Sequence, residues 1–409
     1  MKFLRLIHAY LKGIRASAAV LSLIFLWALF SAVSVYGRIR YIRAEMDVIE
    51  SAHIRNAGVL TYQLNEEDMK TRAYERKVKK AVDALRQEPL VQQVYSIRVV
   101  NPVSCDGISI SIVLYDPGLF SFFPAIGENM VSEYKNGCIL GSTALNSLNT
   151  GQSAQLKVQS GMLSVTVAGH LSAPYRMLRL NQSSSRPTVA HLFTEANVLI
   201  MEATDSLLSE LEQLSASIAY DQNLIVVFTP DATPEQIAQL MKRSAPEHNY
   251  DPFEDILDRS QENIDMTLKE QLPRPLFLTL SALICYFSIL ILTLKKKERQ
   301  MAVLHLCGMS RKKYAALTVT ACQCFTLLPS LLMIALLWAW PHISWINIDS
   351  REMSYTMQRI LLLLEGLSLD LSGSGVVAVY YAFSVLFGTA VTAVYLWRHS
   401  PVSYLRGAQ

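Results

Sequence analysis

Charge is scarce in this sequence. Asp, Glu, Lys and Arg make up 17% of its 409 residues, where soluble domains carry about a quarter. The shortage is uneven. Four runs, 17–37, 275–294, 314–340 and 375–397, contain no Asp, Glu, Lys, Arg or His. Ionisable groups inside a membrane mark proton and ion pathways, so their absence argues against an ion-coupled transporter or a channel. The net charge of +3 is small, and no basic patch interleaved with aromatics occurs, which argues against nucleic acid as a partner. Also missing are G-x-x-x-x-G-K-[ST], G-x-S-x-G and H-E-x-x-H, and the eight histidines are scattered. The chain reads as no enzyme, with no metal and no cofactor of its own.

Cysteine is also sparse, with six in all. Cys285, Cys322 and Cys324 lie within the apolar runs and Cys307 lies in a basic stretch. The Cys322–Cys324 pair has no nearby Cys or His to complete four metal ligands. Cys105 and Cys138 are the only two between the first and second runs. A bridge between them would close a loop of about 34 residues, worth a few kcal/mol. Two independent buried thiols are the alternative.

What is present is apolar length. Each of the four runs has the roughly 20 residues a helix needs to cross about 30 Å of hydrocarbon. The first exceeds the 7–15-residue core of a signal peptide and reads as a retained helix. Lys and Arg near the spans fall thirteen against seven in favour of one side. That side holds both termini and the stretch 295–314, which places all three in the cytoplasm. The expected protein is a multi-pass protein of a bacterial cytoplasmic membrane. It has four transmembrane α-helices, with a large α+β extracytoplasmic domain between the first and second. Its parts are an N-terminal amphipathic segment with the first span (1–37), the external domain with stalk helices (38–272), spans two to four (273–397) and a cytoplasmic tail (398–409). Within 273–397 lie a cytoplasmic loop at 295–313 and an external loop at 341–373. In that external loop Met353, Met357, Ile360, Leu361, Leu364 and Leu367 have helical spacing.

Within 38–272, alternation and β-branched content predict strands at 94–100, 108–115 and 224–229. They also predict a hairpin over 155–171 turning at Ser160-Gly161. Helices are predicted at 65–86, at 233–245 with Thr233 as N-cap and Pro234 at the first position, and at 252–272.

The stretch KKKERQMAVLHLCGMSRKKY, residues 295–314, joins the second and third runs. Its basic ends flank an apolar centre. Met301, Leu304 and Met309 fall on roughly one helical face and Gly308 supplies a stop. Such a helix lies on the membrane surface or docks into a groove on a cytoplasmic partner.

Residues 299–311 resemble a segment of the FtsX-like, MacB-type permease family of ABC transporters, R-E-I-A-V-L-R-A-L-G-A-S-R. Ala302, Val303, Leu304, Gly308, Ser310 and Arg311 match in register, while Gln300 replaces an acid and His305 a base. The tail, Pro401 to Arg406, is similar to P-V-E-A-L-R, and 136–171 is similar to the family's external pattern. The resemblance implies a permease whose partner ATPase, in two copies, holds the ATP and Mg. It also implies a second permease chain, membrane lipid, a possible external accessory protein, and no nucleic acid. Met301, Leu304, Gly308, Ser310 and Arg311 would couple to the ATPase. The substrate would be a peptide, antibiotic, lipid or lipoprotein. Two rival readings are activation of an external cell-wall hydrolase, and a membrane sensor or structural protein with no ATPase.

Overall fold

The computed structural model describes residues 15–52, 56–61, 73–105, 107–122, 134–141, 148–171, 176–178, 186–195, 198–245, 248–340 and 369–398. The expected amphipathic segment at the N-terminus, the external loop over 341–368 and the tail lie outside these residues. The chain divides into two compact units. One holds Arg40–Asp265; the other holds the chain up to Ile39 and, from Met266 onward, the remaining long helices.

Helix α1 spans Arg15–Ser51. The apolar run ends at residue 37, but no Gly or Pro interrupts 38–51, so the helix continues past the expected boundary. Helix α2 is Ala73–Arg86, α3 Asp205–Gln213, α4 Pro234–Ser244 and α5 Phe253–Gln271. Thr233 caps α4: its hydroxyl accepts from the Gln236 amide, and the Gln236 side chain accepts from the Thr233 amide in return.

Eleven strands appear among the described residues: β1 Ala57–Thr61, β2 Val91–Cys105, β3 Ile108–Tyr115, β4 Gly137–Gly141, β5 Ser153–Val158, β6 Gly161–His170, β7 Arg176–Leu178, β8 Phe193–Glu195, β9 Val198–Glu202, β10 Ile218–Phe228 and β11 Asn249–Pro252. Nine of them form one sheet, ordered β11-β1-β10-β2-β3-β9-β4-β6-β5, while β7 and β8 pair separately. The first four strands of the order are antiparallel and carry α2 and α4 as crossovers. This β-α-β…β-α-β order is the split βαβ, or ferredoxin-like, arrangement. Its core joins Val78, Val82 and Leu85 of α2 and Ile237, Leu240 and Met241 of α4 to Leu224, Val226 and Phe228.

Everything between β2 and β10 is an insertion in that half. β2 continues past a bulge after Val100, and Ser104 then pairs with Lys157 of β5. That pairing closes β2-β3-β9-β4-β6-β5 into a six-stranded ring. β5 alternates strictly, with Ala154, Leu156 and Val158 inward and Ser153, Gln155 and Lys157 outward. The ring is filled by such side chains, Ile112, Leu114, Leu163 and Leu199 among them, each contributing about 1.5–3 kcal/mol on burial.

Among the described residues, four helical segments are long and apolar enough to cross a membrane: Ala19–Ser51, Phe253–Lys296, Arg311–Ala339 and Leu371–Arg398. The first lies within α1, the second comprises α5 and α6 (Pro273–Lys296), and the others contain α8 (Arg311–Ala339) and α9 (Ser374–Arg398). A short helix α7, Glu298–Leu306, stands between α6 and α8. Pro329 lies inside α8. It has no N–H for the Phe325 carbonyl four residues earlier. The Ser22 hydroxyl of α1 donates to that carbonyl at 2.9 Å, so a neighbouring span satisfies the group the proline strands.

Candidate functional site

The α6–α7–α8 corner is built by its turns. Gly308 sits at φ +90°, a left-handed conformation that glycine adopts without steric cost. There the Met309 amide donates to the Leu304 carbonyl at 2.9 Å and the Gly308 amide to the His305 carbonyl at 3.0 Å. This pair of bonds is a Schellman stop. Its usual apolar contact is present, since Leu304 and Met309 line the same small crevice with Met301, Tyr314 and Leu396. Ser310 then caps α8, accepting from the Lys313 amide at 3.4 Å. The His305 Nδ1 lies 3.0 Å from the Met309 carbonyl; protonated at that nitrogen, it donates there.

These contacts place the residues expected to couple to a partner. Met301 is 3% exposed and belongs to the core of its own helical unit. Leu304 is half-buried against that core. Gly308 and Ser310 shape the turn, and Arg311 is exposed beside it. Leu304, one of the residues expected to couple to the ATPase, is half-buried, because the Schellman contact draws it toward the core of its own helical unit. The exposed apolar side chains of α7 are Val303 and Leu306, at 55% and 72%. Positions 303 and 306 are three apart, so they share a face. That spacing was present in the sequence, but the periodicity through 301, 304 and 309 masked it. Sequence reasoning also missed a tie between elements. The Tyr395 hydroxyl of α9 donates to a Glu298 carboxylate oxygen at 2.6 Å, fixing the first turn of α7 to the last turns of α9.

Cys105 and Cys138 are buried thiols, not a disulfide. They stand on β2 and β4, which are three strand steps apart either way around the six-stranded ring. Both thiols belong to the apolar core that fills the ring. Burial pushes the Cys138 thiol up to about 12, with Cys105 adding to the rise.

No family model matches the chain, and no curated protein matches it. Solved structures do. The periplasmic region of MacB from Actinobacillus actinomycetemcomitans is 11% identical; the match covers 53% of this chain and 98% of that one, with a TM-score of 0.31. The extracellular domain of the noncanonic ABC-type transporter YknZ from Gram-positive bacteria is 14% identical, over 47% of this chain and 91% of that one, with a TM-score of 0.29. A heavy metal efflux pump matches at 14% identity over 87% of this chain and 36% of that one, with a TM-score of 0.15. Likeness at this level carries no functional argument, which rests on the residues.

Proposed function

We propose that the chain is the permease subunit of an ABC transporter of the mechanotransmission type. A separate ATPase, in two copies, hydrolyses ATP with Mg, and a second permease chain completes the assembly. The movement drives export or extraction of a peptide, antibiotic, lipid or lipoprotein at the Arg40–Asp265 unit. α7 is cytoplasmic in this reading, which the excess of Lys and Arg on its side supports.

The observation that carries the reading is α7 itself. It is a nine-residue helix set between two membrane-length helices, stopped by a Schellman turn and bonded to α9. Its exposed face holds two large apolar side chains, Val303 and Leu306, beside exposed Lys295, Lys296 and Arg299. A rigidly mounted helix with an uncovered apolar face suits the reception of a push from a partner. The charge-free spans fit a protein that transmits motion and offers no polar path.

The test is co-purification of ATP hydrolysis with the full-length chain. Leu306→Asp and Val303→Asp would each place a carboxylate in the contact and should lower the recovered ATPase at least about ten-fold. Leu304→Asp should instead lower the thermal stability of the helical unit. Full ATPase recovery with Leu306→Asp would refute α7 as the docking element.

A further inference from the structure

The apolar runs of the spans carry no charge, yet their interior is not wholly apolar. Gln323 of α8 is 6% exposed. Its Nε2 donates to the Tyr286 hydroxyl of α6 at 2.9 Å and to the Ser384 carbonyl of α9 at 3.0 Å. Its Oε1 accepts from the Thr326 hydroxyl at 2.7 Å. The Ser384 hydroxyl is 3.2 Å from the same oxygen, although its single proton has a closer acceptor in the Tyr381 carbonyl at 2.7 Å. The amide orientation follows from chemistry: the Ser384 carbonyl only accepts, so the nitrogen must face it. One side chain thus joins three helices, with both N–H groups used.

The surroundings are fitted to this arrangement. A Cβ on Gly388 would meet the Tyr286 ring, whose Cζ and Cε1 would lie 3.1 Å away. The glycine lets the hydroxyl end of that ring approach α9 closely, with the hydroxyl accepting from Gln323. A second bond, 2.9 Å between the Thr279 and Tyr380 hydroxyls, pairs α6 with α9 farther along. Toward the other end, the Tyr395–Glu298 bond ties α9 to α7. A continuous chain of bonded elements therefore runs from α7 through α9 to Gln323, and from there to α8 and α6.

We propose that Gln323 is the junction that locks α6, α8 and α9 in one register when α7 is displaced, so that the three spans respond together. The geometry of the bundle carries this inference by itself; its use in transport rests on the permease reading. In a bilayer an apolar side chain at 323 would pack without penalty from water, so a polar hub is not required for burial. What the hub adds is direction, because its bonds are made only when all three helices hold one register.

The experiment is a double-mutant cycle on the full-length chain in lipid nanodiscs, and it needs neither substrate nor ATPase. Tyr395→Phe removes the α7–α9 bond. It lies eleven residues from Ser384 along α9, about 16 Å away at 1.5 Å per residue, too far for direct coupling through contact. The readout is the rate at which N-ethylmaleimide modifies half-buried Cys285, beside Tyr286 on α6. Tyr395→Phe should speed that reaction about three-fold, the yield of one interhelical bond. In a Gln323→Leu background the same substitution should leave the rate unchanged. Should Gln323→Leu fail to insert, Tyr286→Phe removes only the α6 arm and should abolish the response equally. An equal acceleration in both backgrounds, or no response of Cys285 to Tyr395→Phe, would overturn the proposal. A non-additive cycle in a chain that recovers no ATPase would sustain the junction and sink the permease reading.

Discussion

Cys138 shows how much a single side chain depends on its surroundings. The sequence leaves it either half of a bridge or a buried thiol; in the fold it is a thiol facing the ring's interior, raised to about 12 mainly by burial. The sign of the consequence is fixed by linkage. The folded state holds the proton above the pH at which the unfolded chain releases it, near 9. The stability contribution is thus complete below pH 9 and is lost as pH rises toward 12. Between pH 9 and 10.5 this thiol alone should cost about 2 kcal/mol. Tyr115 and Tyr250, both raised first by burial, act in the same direction above pH 10. Denaturant unfolding at the two pH values should show this loss, and Cys138→Ala should make the difference smaller. Alkylation under non-reducing conditions should reach Cys105 and Cys138 only after unfolding.

At the level of elements, the readable features were those with a period or a cap. The β5–β6 hairpin was visible because its residues alternate; its two-residue loop, Gln159–Ser160, falls one position before the expected turn. α4 was visible because Thr-Pro-x-Gln is a capping signature. β1, β4, β9 and β11 were not visible. β4 and β9 are five residues each and buried almost throughout, so they show no alternation, and β4 begins and ends on Gly, which reads as a turn. The polar contacts among the spans were hidden for a different reason. Ser22 and Gln323 are uncharged and sit in apolar runs, and nothing local says that one serves a carbonyl freed by a proline three hundred residues later. Ser22→Ala should leave the Phe325 carbonyl without its donor and cost about 1–2 kcal/mol. A lower midpoint of thermal unfolding in detergent would show it. Adding Pro329→Ala, which restores the helix's own donor, should recover most of the loss.

Across the whole molecule, chain order and spatial order disagree most in the Arg40–Asp265 unit. Among the described residues β1 has only β10 and β11 for neighbours; Ala57 pairs with Val227, and Gly58 with Pro252. The ring, by contrast, draws all its strands from residues 91–202. During synthesis the first strand to emerge is therefore among the last to find a partner, since closing so long a loop is entropically slow. The insertion should assemble while its host is still incomplete. Pulse-labelled hydrogen exchange during refolding should show amides of β3, β6 and β9 protected before those of β1 and β11. Until β10 arrives, β1 and the first stretch of β2 are bare strand edges, the kind of surface that recruits chaperones or aggregates. The nesting of one fold inside another thus sets a timetable, and the interval before β10 is when this protein is most exposed to misassembly.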